Sequence, residues 1–196
     1  MRRCIVNKNN ILVFIFCIFA VIICGVLFYI NTAKEENIGS VVFSYTDDSN
    51  IISIDNSLPI SDKVGKLLNF SDSDDKVNSY FEFTVDCNLT KNISYDYEIY
   101  ATKEVNVNEI SDSYIKIYLT DGSTDKPLSL YNKPSVPTFS EFEDSKINSN
   151  SKVLYTGKCN SNTSKKYILR MWLSDTYTIN FNKRMFSIKV NVKTIY

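Results

Sequence analysis

Phe81-Glu82-Phe83-Thr84-Val85-Asp86-Cys87 sets apolar and polar residues in strict alternation. A period of two places Phe81, Phe83, Val85 and Cys87 on one face and Glu82, Thr84 and Asp86 on the other, as in a strand with one buried face. The same pattern recurs on the C-terminal side. Tyr95, Tyr97, Ile99 and Ala101 alternate with Asp96, Glu98 and Tyr100. Ile115, Ile117 and Leu119 alternate with Lys116, Tyr118 and Thr120, and Phe186, Ile188, Val190 and Val192 alternate with Ser187, Lys189, Asn191 and Lys193. Tyr167 to Leu173 is apolar on both faces except at Arg170, which predicts a central strand. Val41 to Tyr45 and Ile51 to Ile54 are shorter candidates. Helical periodicity is limited to two short stretches. Ser61 is placed to cap a turn through Asp62 to Leu68, and Thr138 and Glu141 have capping-box spacing just after Pro137. The expected fold is mostly β, an antiparallel β-sandwich of about seven strands with one or two short helices.

Composition narrows the function classes. The chain has 196 residues, 22 basic and 22 acidic side chains, 5 glycines and no histidine. Without imidazole, mechanisms that need a histidine base or a histidine metal ligand are excluded. So few glycines argue against glycine-rich phosphate loops. The charges of residues 1–30 are all basic (Arg2, Arg3 and Lys8), so the remainder is slightly acidic and offers no footprint for nucleic acid.

Ile11 to Ile30, ILVFIFCIFAVIICGVLFYI, is a run of 20 residues without charge. A helix of that length covers about 30 Å, the thickness of a bilayer core. It is longer than the apolar region of a cleaved signal peptide, and Asn31-Thr32-Ala33 lacks the small first residue of a cleavage site. Ile23 before Cys24 and Phe16 before Cys17 also fail the lipoprotein pattern. The expectation is an uncleaved transmembrane anchor. Basic residues precede it and Lys34, Glu35 and Glu36 follow it, which orients the N-terminus toward the cytoplasm. The implied organisation is a cytoplasmic tail (1–10), a membrane anchor (11–30), a linker (31–39) and an extracellular domain (40–196). The linker spans at most about 30 Å, so the domain is expected close to the cell membrane.

Cys4, Cys17 and Cys24 belong to the tail and anchor, and only Cys87 and Cys159 lie in the exported part. Two cysteines in an oxidising compartment suggest one disulfide, with two buried thiols as the alternative. No CxxC spacing supports a redox motif or a zinc site.

Two segments interrupt the strands, residues 57–79 and residues 121–152. The first carries Asp72, Asp74 and Asp75, but Val77 and Phe83 stand where an EF-hand needs a glycine and a bidentate acid. Ser-x-x-Lys occurs at Ser73–Lys76, Ser113–Lys116 and Ser149–Lys152. Residues three apart on a strand face opposite sides, so Ser113 and Lys116 are not expected to meet as a dyad. Sequons stand at Asn69, Asn88, Asn92 and Asn162. No cofactor or metal is implied.

Two aromatic groups admit two readings each. Arg170 and Trp172, two apart on a strand, share a face, where the guanidinium can lie over the indole. They read either as an exposed partner contact or as packing beneath a loop. Phe139 and Phe142 share a face if a helical turn starts at Thr138, with Tyr131 alongside. These three read either as a partner-contact surface in the long loop or as a cap on one end of the core.

Taken in order, Leu58-Pro59-Ile60-Ser61-Asp62-Lys63-Val64-Gly65, Phe81 to Val85, Tyr97 to Tyr100, Ile115 to Asp121, Val153 to Gly157 and Tyr167 to Ser174 resemble a group of membrane-anchored surface proteins of Gram-positive bacteria. The likeness covers most of residues 50–193. More distantly, the strand order is similar to the camelysin/TasA type of secreted β-sandwich. The resemblance implies a surface protein with no catalytic residues to carry over. The expected function is a non-enzymatic binding or structural module that touches an envelope protein. The alternative is a self-associating subunit of a surface or matrix fibre that uses β-strand addition.

Overall fold

The structure is a computed structural model that describes residues 39–45, 50–55, 57–68, 80–90, 93–105, 109–146, 150–178 and 185–195. All belong to one compact unit, Ile38–Tyr196. The apolar run 11–30, the acidic run at Asp72, Asp74 and Asp75, and the sequons at Asn69 and Asn92 lie outside the described residues. Among the described residues no helix is long and apolar enough to cross a membrane.

The described residues form nine strands: β1 (Gly39–Tyr45), β2 (Ile51–Asp55), β3 (Tyr80–Leu89), β4 (Tyr95–Lys103), β5 (Ile115–Asp121), β6 (Lys126–Pro127), β7 (Ser151–Cys159), β8 (Thr163–Leu173) and β9 (Met185–Ile195). They build two sheets, one ordered β1-β3-β8-β5-β6 and the other β2-β9-β4-β7. Every strand pair is antiparallel. The one α-helix among the described residues is a single turn, α1 (Asp62–Gly65); Ser61 stands at its N-cap position as the sequence predicts, but its side chain makes no capping hydrogen bond and the helix ends before Leu68.

Alternation decided which residues face inward. Phe81, Phe83, Val85 and Cys87 are all buried, as are Tyr95, Tyr97, Ile99 and Ala101 on β4. β8 lies in the middle of its sheet, between β3 and β5. Its inward row, Tyr167, Leu169, Met171 and Leu173, meets the common core, while Ile168, Arg170 and Trp172 face the other way and are buried as well. The second face is covered by α1 and its flanks. Trp172 lies so close beneath Gly65 that a Cβ there would fall inside the indole, and Ile60 donates its N–H to the Leu173 carbonyl at 2.9 Å. A strand apolar on both faces is what such a three-layer position requires.

Two cross-links join the sheets. Cys87 on β3 and Cys159 on β7 form a disulfide with a Cα–Cα distance of 5.6 Å. Tyr97 on β4 and Tyr167 on β8 share a short hydroxyl–hydroxyl hydrogen bond in the core. Gly157, opposite Tyr97 in the ladder, is required there because a side chain would collide with the Tyr97 ring. Burial raises the Tyr97 hydroxyl to about 12 and raises Tyr167 well above its ordinary value, the bond from Tyr97 adding to the latter shift.

The strand count exceeds the sequence reading because β6 has only two residues and β7 does not alternate. A register shift places Ile99 opposite Tyr155 but Tyr100 opposite Val153, so Leu154 is an extra residue on β7. This bulge displaces the buried positions to Ser151, Leu154, Gly157 and Cys159 and erases the period of two.

Candidate functional site

The long connection after β5 is not a free loop. It begins with a hairpin whose tip residue Asp125 adopts φ 51°, a left-handed conformation that Asp tolerates better than most residues. The reason for that geometry is Arg170. Its guanidinium, 1% exposed, donates to both Asp125 carboxylate oxygens at 2.8 and 3.0 Å, to Thr120 Oγ1 at 3.2 Å and to the Leu68 carbonyl at 2.7 Å. A planar fork held on four acceptors is fixed in place.

From the hairpin the chain passes through two single-turn 3₁₀ segments, Ser129–Tyr131 and Phe139–Glu141. Tyr131 is buried and donates its hydroxyl to the Leu154 carbonyl at 2.9 Å, and burial raises its ionisation well above the usual range. Val136 is pinned from both sides. Its N–H donates to Asp62 Oδ2 at 2.8 Å, and its carbonyl accepts from Lys116 Nζ at 2.7 Å. Phe139, 1% exposed, meets the Phe186 ring edge-on, with centroids 5.4 Å apart. Glu141 closes the capping box predicted from sequence. Its carboxylate accepts from the Thr138 N–H at 2.5 Å and from the Thr138 hydroxyl at 3.1 Å. The Thr138 N–H, the largest influence, holds that carboxyl below the usual range.

These anchors raise the connection away from β7 and leave a cleft of about 930 Å³ between them. Leu130, Pro134, Pro137, Phe142, Val153 and Tyr155 supply apolar walls, and Lys133, Glu141 and Glu143 supply charge. Leu130 is markedly exposed for a leucine, at 47%. Phe142 is half-buried and rests on the Tyr131 ring at 5.9 Å. Apolar walls with a few charged groups suit contact binding of a segment with apolar side chains.

Four of the five residues singled out from sequence as partner contacts are not available for that role. Tyr131, Phe139, Arg170 and Trp172 are buried, and the packing described above is the reason. The guanidinium of Arg170 lies over Tyr80, its cross-strand neighbour, at 5.5 Å, and not over Trp172. Trp172 instead meets Tyr118 edge-on. Only Phe142 keeps accessible surface, and it lines the cleft. Val153 and Tyr155 were legible only as part of the stretch Val153 to Gly157 and not as site residues, because the bulge breaks the alternation of the strand that carries them. The signal that could have found them is the Val153-Leu154-Tyr155 apolar run itself.

The Ser73–Lys76 match and Ser149 lie outside the described residues, and the motifs within them have structural partners. Lys116 is held by Val136, and Ser113 bonds Ser111 at 3.0 Å, so they do not form a dyad. Asn88 and Asn162 are exposed, and Asn162 Oδ1 accepts from the Leu89 N–H at 2.6 Å. Among the described residues no group of three or more acidic or cysteine side chains is arranged to hold a metal ion.

The described residues form a mostly antiparallel β domain of two sheets with a cleft beside β7. No known family, curated protein or solved structure matches the chain.

Proposed function

We propose that this chain is a single-pass surface protein with its N-terminus in the cytoplasm. It displays a β-sandwich outside the cell as a non-enzymatic binding module, and the cleft between the 129–143 connection and β7 is the contact site. The observation that carries this reading is the cleft. Its walls are apolar yet open to solvent, and it is held in shape from below by the Asp62, Lys116, Tyr131 and Phe139 contacts. A preformed groove of this kind loses little entropy on binding. The uncharged 20-residue run at 11–30 supports the anchor. The disulfide supports an oxidising compartment, and the resemblance to membrane-anchored surface proteins points the same way.

The test is a photo-reactive residue at Leu130 in living cells, with Ser123 on the hairpin as the control position. The reading predicts one dominant adduct from Leu130 that is lost with Phe142→Ala while the melting temperature barely changes. Equal labelling from both positions, or labelling indifferent to Phe142, would rule out the cleft. Protease added to intact cells checks the topology: the domain should be removed and a short protected stub should remain.

A further inference from the structure

Each sheet of an open two-sheet domain has two edges, and bare edges invite pairing with another chain. Three of the four edges here carry a device against it. β6 is two residues long and consists of a lysine and a proline. The rest of the β5 edge is occupied by the long connection, through Ile117 N–H to the Pro137 carbonyl at 3.1 Å. The β7 edge is covered where Val153 N–H reaches the Glu143 carbonyl at 2.9 Å and Asp144 bridges Lys152. β2 is a five-residue strand that ends in Asp55.

Among the described residues β1 has no such device. Its seven residues, Gly-Ser-Val-Val-Phe-Ser-Tyr, include no charge and no proline. Val42 is 49% exposed and Tyr45 41%. Val41 and Phe43 stand opposite the fully buried Cys87 and Val85 but are themselves only half-covered. The apolar row of the core therefore runs out to the last strand of its sheet, where no described segment lies beyond it.

The direction of the free backbone groups follows from its neighbour. Leu89 donates its N–H to Asn162, on the β8 side of β3. Alternation then turns the Asn88 N–H toward β1, where it meets the Tyr95 hydroxyl, which in turn donates to the Ser40 carbonyl. Ser40, Val42 and Ser44 thus spend their backbone groups on β3, while Val41 and Phe43 present theirs to the open edge.

We propose that the β1 edge pairs with β1 of a second copy of this chain, antiparallel about a two-fold axis through Val42. In that register Val41 faces Phe43 of the other copy on the core side, Ser40 faces Ser44 on the outer side, Gly39 leaves room for Tyr45, and Val42 meets itself. The sequence Ser-Val-Val-Phe-Ser is self-complementary in kind about its centre. All seven residues find a partner, and the two free-edge residues Val41 and Phe43 form the hydrogen-bonded pairs. Among the described residues of β1 and β3, the like charges brought nearest across the axis are Asp86 of each copy, about three strand spacings or ~14 Å apart and beyond the screening length at physiological salt. Such an isologous contact closes on itself, so it makes a pair of chains and not a fibre.

The register makes the test specific. In the full chain in detergent, with Cys4, Cys17 and Cys24 replaced by serine, Val42→Cys places two thiols at a non-hydrogen-bonded pair, where Cα atoms approach to about 4.5 Å. Mild oxidation should give a covalent dimer in high yield. Ser44→Cys alone should give little, since it faces Ser40, and Ser40→Cys with Ser44→Cys should restore the dimer. Val42→Lys opposes two ammonium groups and should weaken dimerisation at least about tenfold in sedimentation. Its melting should change little, because Val42 lies on the outer face and is 49% exposed in the single chain. A chain that sediments as a monomer at tens of micromolar, or equal cross-linking from positions 42 and 44, overturns the proposal.

Discussion

The two flanks of the domain solve one problem in opposite ways. On the flank of β5 and β7, some 25 residues of connecting chain are folded over the sheet edges and fastened to both sheets by Val136, Tyr131 and Phe139. On the flank of β1, no described segment lies beyond the last strand, and the aromatic cluster of Phe43, Tyr45, Phe81 and Phe83 reaches toward solvent. The covered flank owes its order to local fastening and leaves a cleft above it. The bare flank relies on the inter-sheet disulfide, whose Cys87 stands directly opposite Val41. One sheet edge is thus protected by its own chain, and the other has no described cover.

The strongest way to break the contrast is to remove the fastening of the covered flank. Phe139→Ala deletes a fully buried ring and should destabilise the domain by about 3–5 kcal/mol in denaturant unfolding. Phe142→Ala, in the cleft, should cost a fraction of that. Equal losses would mean that the connection is one packed unit with no separable contact surface. On the bare flank, Cys87→Ala with Cys159→Ala opens a loop whose ends are 72 residues apart. On the chain-entropy model the loss is about 4 kcal/mol. Amide exchange should rise more in β1 than in the 129–143 connection. A uniform rise would show that the bridge serves the whole domain and not this flank.

How legible these flanks were in the sequence differs for a physical reason. Strict alternation at Phe81–Cys87, Tyr95–Ala101 and Phe186–Val192 revealed both the strands and their buried faces, because one row meets a core and the other does not. The apolar run Tyr167–Leu173 revealed a central strand, although only the structure explains why: α1 and Gly65 roof its second face. The connection was recognisable as unusual from its length and prolines, and its capping box at Thr138 was readable from spacing. What could not be read was direction. Nothing local distinguishes Phe139, which turns into the core, from Phe142, which turns to the cleft. The bulge at Leu154 likewise has no local mark, and with it went the wall formed by Val153 and Tyr155. For Arg170 and Trp172 the structure gives the reading of packing beneath a loop and not the exposed contact; the sequence could not name the partners of Arg170, because Asp125 and Tyr80 are remote from it along the chain.

Between the flanks, the Tyr97–Tyr167 pair offers a smaller effect that sharpens what the centre contributes. Tyr97→Phe leaves a buried hydroxyl without its partner and should cost about 1–3 kcal/mol, whereas the double Phe variant should lose less than the sum of the singles. The same group predicts alkaline behaviour. Burial raises Tyr97 to about 12, and burial with the Glu82 bond raises Tyr80 to about 12. The folded state therefore holds these protons more tightly than the unfolded chain, whose tyrosines ionise near pH 10. Stability from this source is complete below about pH 10 and declines as pH rises toward 12. Tyrosinate absorbance should appear together with loss of near-ultraviolet circular dichroism, and the Tyr97→Phe variant should show a shallower decline. Full tyrosine ionisation in a still-folded domain would contradict the burial of the pair.

The smallest expected effect lies at the rim of the cleft and tests whether its shape depends on one cap. Glu141 is solvent-exposed, and the Thr138 N–H holds its carboxyl below the usual range, outweighing the opposing effect of partial burial, with the Thr138 hydroxyl adding a smaller lowering. A carboxyl lowered on folding stabilises above its unfolded pKa, near 4.3, and loses that contribution as pH falls through its folded value. Because the group faces water, the change is local and should not appear in global unfolding. It should appear in amide exchange at Thr138, whose N–H the carboxylate accepts. Between pH 6 and pH 3, protection at Thr138 should fall relative to the amides of β1, which have no titrating cap. Glu141→Gln keeps an acceptor but cannot titrate, so it should start with weaker protection and change little over the same range. If Thr138 protection in the native chain followed β1 at every pH, the cap would be dispensable. The cleft would then be held open by Val136, Tyr131 and Phe139 alone, and the covered flank would be fastened by its buried anchors and not by its surface.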